Sequence, residues 1–218
     1  MKRPTEPITE QELRGCLREV LSMQAQLTGG RLYEELSIEQ GACRIDLAIV
    51  SDRLEAYEIK SDLDNFSRLH KQIHAYNRVF DRITLVTGPR YADVAQTLMP
   101  SWWGISVVNR KPDGSLALQE LRVARDNHAQ EALSVAMSLW KDEAASILAV
   151  HTGSPPSRRA TRSQLQQKLA SILCIDALRA FVAQRLLERK TVTKPMPSGQ
   201  GGGWSHLDAS CSGFHYLT

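Results

Sequence analysis

The stretch CRIDLAIVSDRLEAYEIKS, residues 43–61, decides how the chain is read. Its first eight residues alternate. Cys43, Ile45, Leu47 and Ile49 point one way and Arg44, Asp46, Ala48 and Val50 the other, which is the period of an extended strand. Ser51, Asp52 and Arg53 form a tight connection, and residues 54–61 alternate again, so the spacing predicts an antiparallel hairpin. Glu58 and Lys60, two apart, leave one face of the second strand. Asp46 lies on the first strand, so the hairpin gathers two carboxylates and one ammonium. Such a cluster is costly unless a cation or a polyanion occupies it. Carboxylate oxygens suit magnesium or manganese. A lysine beside the metal can orient water and stabilise charge on a scissile phosphate. The bland alternative is an exposed sheet face with cross-strand ion pairs.

The same spacing recurs at Asp176, Glu188 and Lys190, but there the apolar period is helical. Residues two apart on a helix diverge by roughly 200° and cannot share a site.

Working outward, residues 9–27 read as a helix. Thr9 and Glu12 form a capping-box pattern, Leu13, Leu17, Val20, Leu21 and Leu27 follow at helical spacing, and Gly29-Gly30 ends the run. Residues 31–39 read as a strand. Beyond the hairpin, Asp64 to about Val79 reads as a helix with an apolar stripe of Phe66, Leu69, Ile73, Tyr76 and Phe80, opposite Asn65, Arg68, Gln72 and His74. Strands at Ile83–Thr87, Ile105–Val108 and Leu116–Leu121 follow, with a short helix at Tyr91–Leu98. Trp102 and Trp103, before the second of these strands, read as packing over the sheet edge rather than stacking on bases. From Asn127 the period turns helical, with one helix at Ala132–Val150, a linker at 152–157 and basic helices over Arg162–Arg189. The expected organisation is an α/β core over 1–126, a helical basic extension over 127–194, and a Gly-rich flexible tail over 195–218.

Composition limits the function classes. With 218 residues, 42% hydrophobic and 23% charged, the chain has ordinary globular usage and can build a sizeable core. No window holds the ~20 apolar residues of a spanning helix, and the N-terminus lacks the apolar run of a secretory signal. Cys16, Cys43, Cys174 and Cys211 are far apart, so neither a disulfide scaffold nor a zinc knuckle is expected, and a cytoplasmic location fits. His70 and His74 have no third ligand to make a metal site. The net charge of +3 hides an asymmetry: residues 1–150 carry −3 and residues 151–195 carry +7. A concentrated basic segment is the footprint expected for a phosphate-backbone partner, with Arg158, Arg159 and Arg162 as contacts. The rival is a solvated helix face.

The ordered set of residues resembles the PD-(D/E)xK, or restriction-endonuclease-like, nuclease superfamily. RIDLAIV (44–50) and YEIKSD (57–62) look like its signature, with Ile45 standing where the superfamily name has Pro. The likeness extends to Glu35-Leu36-Ser37, Arg68, Gln72, Tyr76, Val79-Phe80-Asp81, the strand Ile83–Thr87 and Trp102-Trp103-Gly104. Together these resemble one small, poorly characterised bacterial family, over about residues 10–125. The resemblance implies a mixed central sheet flanked by helices and hydrolysis of phosphodiester bonds to leave a 5′-phosphate. It implies Mg2+ or Mn2+ held by Asp46, Glu58 and the Ile59 carbonyl, with Glu35 assisting directly or through water. Lys60 would position water, and Gln72 would contact the phosphate or Lys60. Arg44 and Arg68 would bind phosphate or act as ion-pair partners. The expected partner is nucleic acid, DNA before RNA, with repair or phage defence as settings and a homodimer through the helical extension. The alternative is a catalytically idle nucleic-acid-binding or adaptor module of the same fold.

Overall fold

The computed structural model describes residues 6–67 and 69–189. The hairpin at 43–61 is its centre: β2 (Cys43–Val50) and β3 (Leu54–Lys60) pair antiparallel, and β1 (Arg31–Ile38) adds to the outer edge of β2, also antiparallel. On its other side β3 pairs parallel with β4 (Arg82–Thr87), which pairs parallel with β5 (Gly104–Arg110); β6 (Leu116–Arg122) closes the far edge antiparallel. The result is a six-stranded mixed sheet in sequence order. Parallel neighbours need crossovers, and these are α2 (Leu69–Asn77) and α3 (Ala92–Leu98).

Both faces of the sheet are covered. On one lies α1 (Glu10–Leu27), started by the expected box, in which Thr9 N–H donates to Glu12 at 3.0 Å and Glu12 N–H to the Thr9 hydroxyl at 3.3 Å. Its stripe of Leu13, Leu17, Leu21 and Ala25 packs on Leu47, Ile49, Ile59, Val86 and Val108. On the other face, α2 packs together with α4 (Ala132–Ala136), α5 (Lys141–Thr152), α6 (Arg162–Ile172) and α7 (Ile175–Glu188). Leu165, Leu169, Leu178, Val182 and Leu186 share one hydrophobic cluster with β1–β5, so the helices beyond residue 127 form the second layer of the same core. They also cover the β1 edge, where Tyr33 and Arg31 donate to the carbonyls of Leu186 and Arg189. The Gly-rich segment 195–218 lies outside the described residues.

Three expectations change. The helix expected from Asp64 begins at Leu69, because Ser61–Ser67 is spent on side-chain-closed turns: Asp64 accepts from the Ser61 N–H and hydroxyl at 2.8 and 2.7 Å, and Asn65 accepts from the Ser67 N–H at 3.1 Å. The helix expected over Ala132–Val150 is two, broken at Met137–Trp140. There Glu143 accepts the Trp140 N–H at 2.7 Å and starts α5. Arg162, Gln166 and Arg189 take the carbonyls of Met137, Leu139 and Ser138.

The third change falls at the site. In the β1–β2 ladder Glu34 pairs with Leu47 and Leu36 with Ile45, but the intervening pair, Glu35 with Asp46, is missing, and Glu35 has φ of +55°. The alternation slips there on both strands. Ile45 packs with Ala48 and Val50, whereas Leu47 and Ile49 pack beneath α1. The two acidic residues sit where the ladder is broken.

Candidate active site

Asp46 leaves the ladder with its carboxylate free to bond. Its Oδ2 accepts the Ile59 N–H at 2.8 Å, beyond the last β2–β3 pair, Leu47 with Tyr57. Its Oδ1 meets Arg14 Nη2 of α1 at 2.9 Å. The same nitrogen lies 2.7 Å from Glu10 and 3.1 Å from Glu35, while Arg44 Nε holds the other Glu35 oxygen at 2.6 Å. The neighbouring Glu34 goes elsewhere, to Arg18 at 3.5 Å.

Glu58 lies beside this group but faces α2. It is 1% exposed. Oε1 receives Lys60 Nζ and Gln72 Nε2, each at 2.6 Å, and Oε2 lies 2.8 Å from the Tyr76 hydroxyl. Burial first, and then the Asp46 charge, push the Glu58 carboxyl up to about 7, against the pull of Lys60. The hydroxyl geometry agrees. Tyr76 Oη is also 2.7 Å from the Arg44 carbonyl, which can only accept, and one hydroxyl hydrogen cannot serve both oxygens. With Tyr76 donating to the carbonyl, Glu58 completes the network by donating its own proton to Tyr76. Burial, followed by the Glu58 charge, raises the Tyr76 phenol in turn.

A cavity of about 140 Å³ opens beside this network, lined by Lys60, Asp64, Asn65 and Gln72. Gln72 Oε1 is buried there without a hydrogen-bond partner. The turn that carries Asp64 is fixed from below by Asp62, which accepts the N–H groups of Ile8 at 2.9 Å and Arg90 at 3.1 Å. Only glycine fits at 88, since a Cβ there would stand 2.3 Å from the Asp62 carboxylate.

The structure therefore brings Glu58, Lys60 and Gln72 into direct contact, and Asp46 and Glu35 onto a shared arginine. The Asp46 and Glu58 groups meet through charge and through the backbone at Ile59. Arg68 lies outside the described residues. Sequence reasoning missed Arg14, which sits on the polar side of an ordinary amphipathic helix and carries no pattern of its own. It also took Tyr76 for core alone. The ring is fully buried, but the hydroxyl belongs to the site. Trp103 is fully buried in the core cluster shared with α2, before an interior strand rather than over the sheet edge, with its N–H on Asn77 at 2.8 Å.

Residues 4–194 match the family described as Bacteriophage P4 protein cII. The chain belongs to the phage P4 cII family. Protein cII of Enterobacteria phage P4 itself is 31% identical over 100 residues, which span 46% of this chain and 38% of the phage protein. Among solved structures, the SPO1766 protein of unknown function from Silicibacter pomeroyi superposes with a TM-score of 0.41 at 15% identity, covering 72% of this chain and all of that one.

In this cII-family chain the basic segment is largely committed internally. Arg162 donates to the carbonyls of Leu139 at 2.9 Å and Met137 at 3.0 Å. Arg179 meets Asp81 at 3.0 Å, and Arg189 meets Glu143 at 2.7 Å while stacking 4.2 Å over the Trp140 ring. Arg158 and Arg159 differ: both are exposed, with no ion pair among the described residues. No helix among the described residues is long and apolar enough to cross a membrane.

Proposed function

We propose that this cII-family protein is a metal-dependent nuclease of the restriction-endonuclease-like fold, hydrolysing phosphodiester bonds of nucleic acid, with DNA preferred over RNA. The observation that carries the reading is the pairing of Asp46, at the break in β2, with Glu58-Ile59-Lys60 on β3. Asp46 accepts the Ile59 N–H, and its charge bears on Glu58. Glu58, driven to hold a proton by its burial first and by the Asp46 charge second, forms with Asp46 an oxygen donor pair whose present cations are Lys60 and Arg14. The partnerless Gln72 Oε1 beside the cavity leaves an acceptor for a further group. No group of three or more His, Cys, Asp or Glu side chains suited to a metal stands among the described residues; a hydrated magnesium or manganese ion would be held by the two carboxylates of Asp46 and Glu58 with the Ile59 carbonyl, Glu35 assisting. When bound, such an ion supplies Lewis-acid stabilisation of the scissile phosphate.

The side chains do the rest. Lys60, 14% exposed, keeps its ammonium at the cavity wall, where it orients the attacking water and offsets charge on the phosphate. Gln72 fixes Glu58 through its amide nitrogen, and its buried, unpartnered oxygen belongs to a residue that lines the cavity. Arg158 and Arg159 hold the nucleic-acid backbone by sequence-independent phosphate contacts.

A second reading, a catalytically idle nucleic-acid-binding module, draws on Arg14 and Lys60, which neutralise Asp46 and Glu58 without a metal. A substrate panel separates the two. Circular plasmid, linear duplex, single-stranded DNA and RNA are incubated with magnesium, manganese or EDTA. The nuclease reading expects cleavage with either metal and none with EDTA. Retention of every substrate intact, with binding preserved, favours the idle module.

A further inference from the structure

We propose that Arg14 is the resident cation of Asp46 and that a divalent metal binds there by displacing it. The inference rests on the metal-binding reading above and adds to it a competitor built into the chain. One guanidinium nitrogen, Nη2, lies 2.7 Å from Glu10, 2.9 Å from Asp46 and 3.1 Å from Glu35. Nη1 reaches the Asp46 carbonyl at 3.3 Å. Arginine cannot shed its charge. A divalent cation on Asp46 Oδ1 would therefore stand against a fixed positive charge within about one ionic contact distance, and repulsion at that range is large at any effective dielectric inside a protein. The two cations exclude one another, and Arg14 leaves by moving rather than by losing a proton.

The geometry supplies the place to which it moves. Glu10 is one helical turn before Arg14, is 55% exposed, and holds the guanidinium at two points, Nε at 3.2 Å and Nη2 at 2.7 Å. An i,i+4 pair of this kind persists on the outer face of α1 without Asp46. Arg14 thus keeps a partner after release, which lowers the cost of giving up Asp46 and Glu35. Glu35 keeps Arg44 at 2.6 Å. Lys60 has no such alternative, since among the described residues its ammonium bonds Glu58 alone. Of the two cations on the carboxylates, Arg14 is the one placed to yield.

The test titrates manganese ions into wild-type protein, Arg14→Met and Asp46→Asn at one pH and ionic strength, read by calorimetry. Methionine keeps much of the length of the side chain and removes its charge. The proposal expects Arg14→Met to bind manganese at least about tenfold tighter than wild type and Asp46→Asn to lose the binding. In wild-type protein, magnesium should shift the Arg14 guanidinium resonances as the contacts to Asp46 and Glu35 are lost and that to Glu10 is kept, a readout that needs no variant to fold. Equal or weaker binding by Arg14→Met, with Asp46→Asn inactive in binding, overturns the competition and leaves the metal site standing. Weaker binding would make Arg14 a clamp that orients Asp46. Absence of manganese binding in all three proteins, or binding unaffected by Asp46→Asn, removes the metal reading and this proposal with it.

Discussion

Burial and the Asp46 charge hold the Glu58 carboxyl protonated up to about pH 7, against 4.5 in the absence of these influences. The folded state therefore binds more protons than the unfolded chain across that window, and stability falls as pH rises through it. The shift corresponds to about 3 kcal/mol at ~1.4 kcal/mol per unit. Denaturant unfolding of wild type should show most of this decline between pH 4.5 and 8. Glu58→Gln, which carries no titrating proton, should flatten the profile and match or exceed wild type at pH 8. A profile equally steep in the variant would place the titration elsewhere. Tyr76→Phe tests the same network from its other end. It leaves the part-buried Arg44 carbonyl without its 2.7 Å donor, a loss of up to ~1–3 kcal/mol where water does not take its place. Thermal unfolding should register that cost. An unchanged melting temperature would mean that water replaces the hydroxyl.

The elements divide the arginines into structural and free. Arg162, at the start of α6, ties that helix to the carbonyls that end α4 and precede α5. Its replacement by alanine should cost ~1–3 kcal/mol and leave the salt dependence of nucleic-acid binding alone. The double variant Arg158→Ala, Arg159→Ala, in the exposed linker, should do the reverse. Stability should stay within about 0.5 kcal/mol, while the log–log salt slope should fall by roughly 0.7–0.9 for each phosphate no longer neutralised. Fluorescence anisotropy across a salt series reads the slope; a fall in stability without a change in slope would return these residues to a structural role. The sequence could not make this division, because a charge run records how many cations a segment holds and not which carbonyls or carboxylates lie opposite. It did reveal the elements that rest on local chemistry: the Thr9–Glu12 box, the hairpin at 43–61, and the strands at 83, 105 and 116. It missed the late start of α2 and the gap between α4 and α5. In both places side chains bond the backbone across turns, and a helical apolar stripe continues past them unaltered.

At the scale of the whole molecule, one core joins the sheet to the helices that the sequence reads as an extension. A basic run after a Pro-Ser linker looks separable, but Leu165, Leu169, Leu178, Val182 and Leu186 are all buried against the layer that holds α2 and the site. Ending the chain at Gly153 would strip the partners from that layer at ~1.5–3 kcal/mol for each large apolar side chain removed. The shortened protein should therefore fail to unfold cooperatively, and a sharp transition near the wild-type temperature would show that residues 1–153 fold alone. The candidate site was legible in part for the same reason that the alternation misled. Strand period placed Glu58 and Lys60 together. It could not foresee that the Glu35–Asp46 pair drops out of the ladder, because a double slip leaves no trace in residue type. The break turns Asp46 toward α1 and the Ile59 N–H while Glu58 faces α2, and the proposed chemistry requires that carboxylates so arranged still act as one unit. The rate of plasmid cleavage in magnesium by wild type, Asp46→Asn and Lys60→Ala, each first shown to melt cooperatively, tests this most directly. The account predicts cleavage by wild type and a drop of at least about 100-fold in both variants; cleavage at the wild-type rate by either variant, or none by wild type across magnesium and manganese, would contradict it.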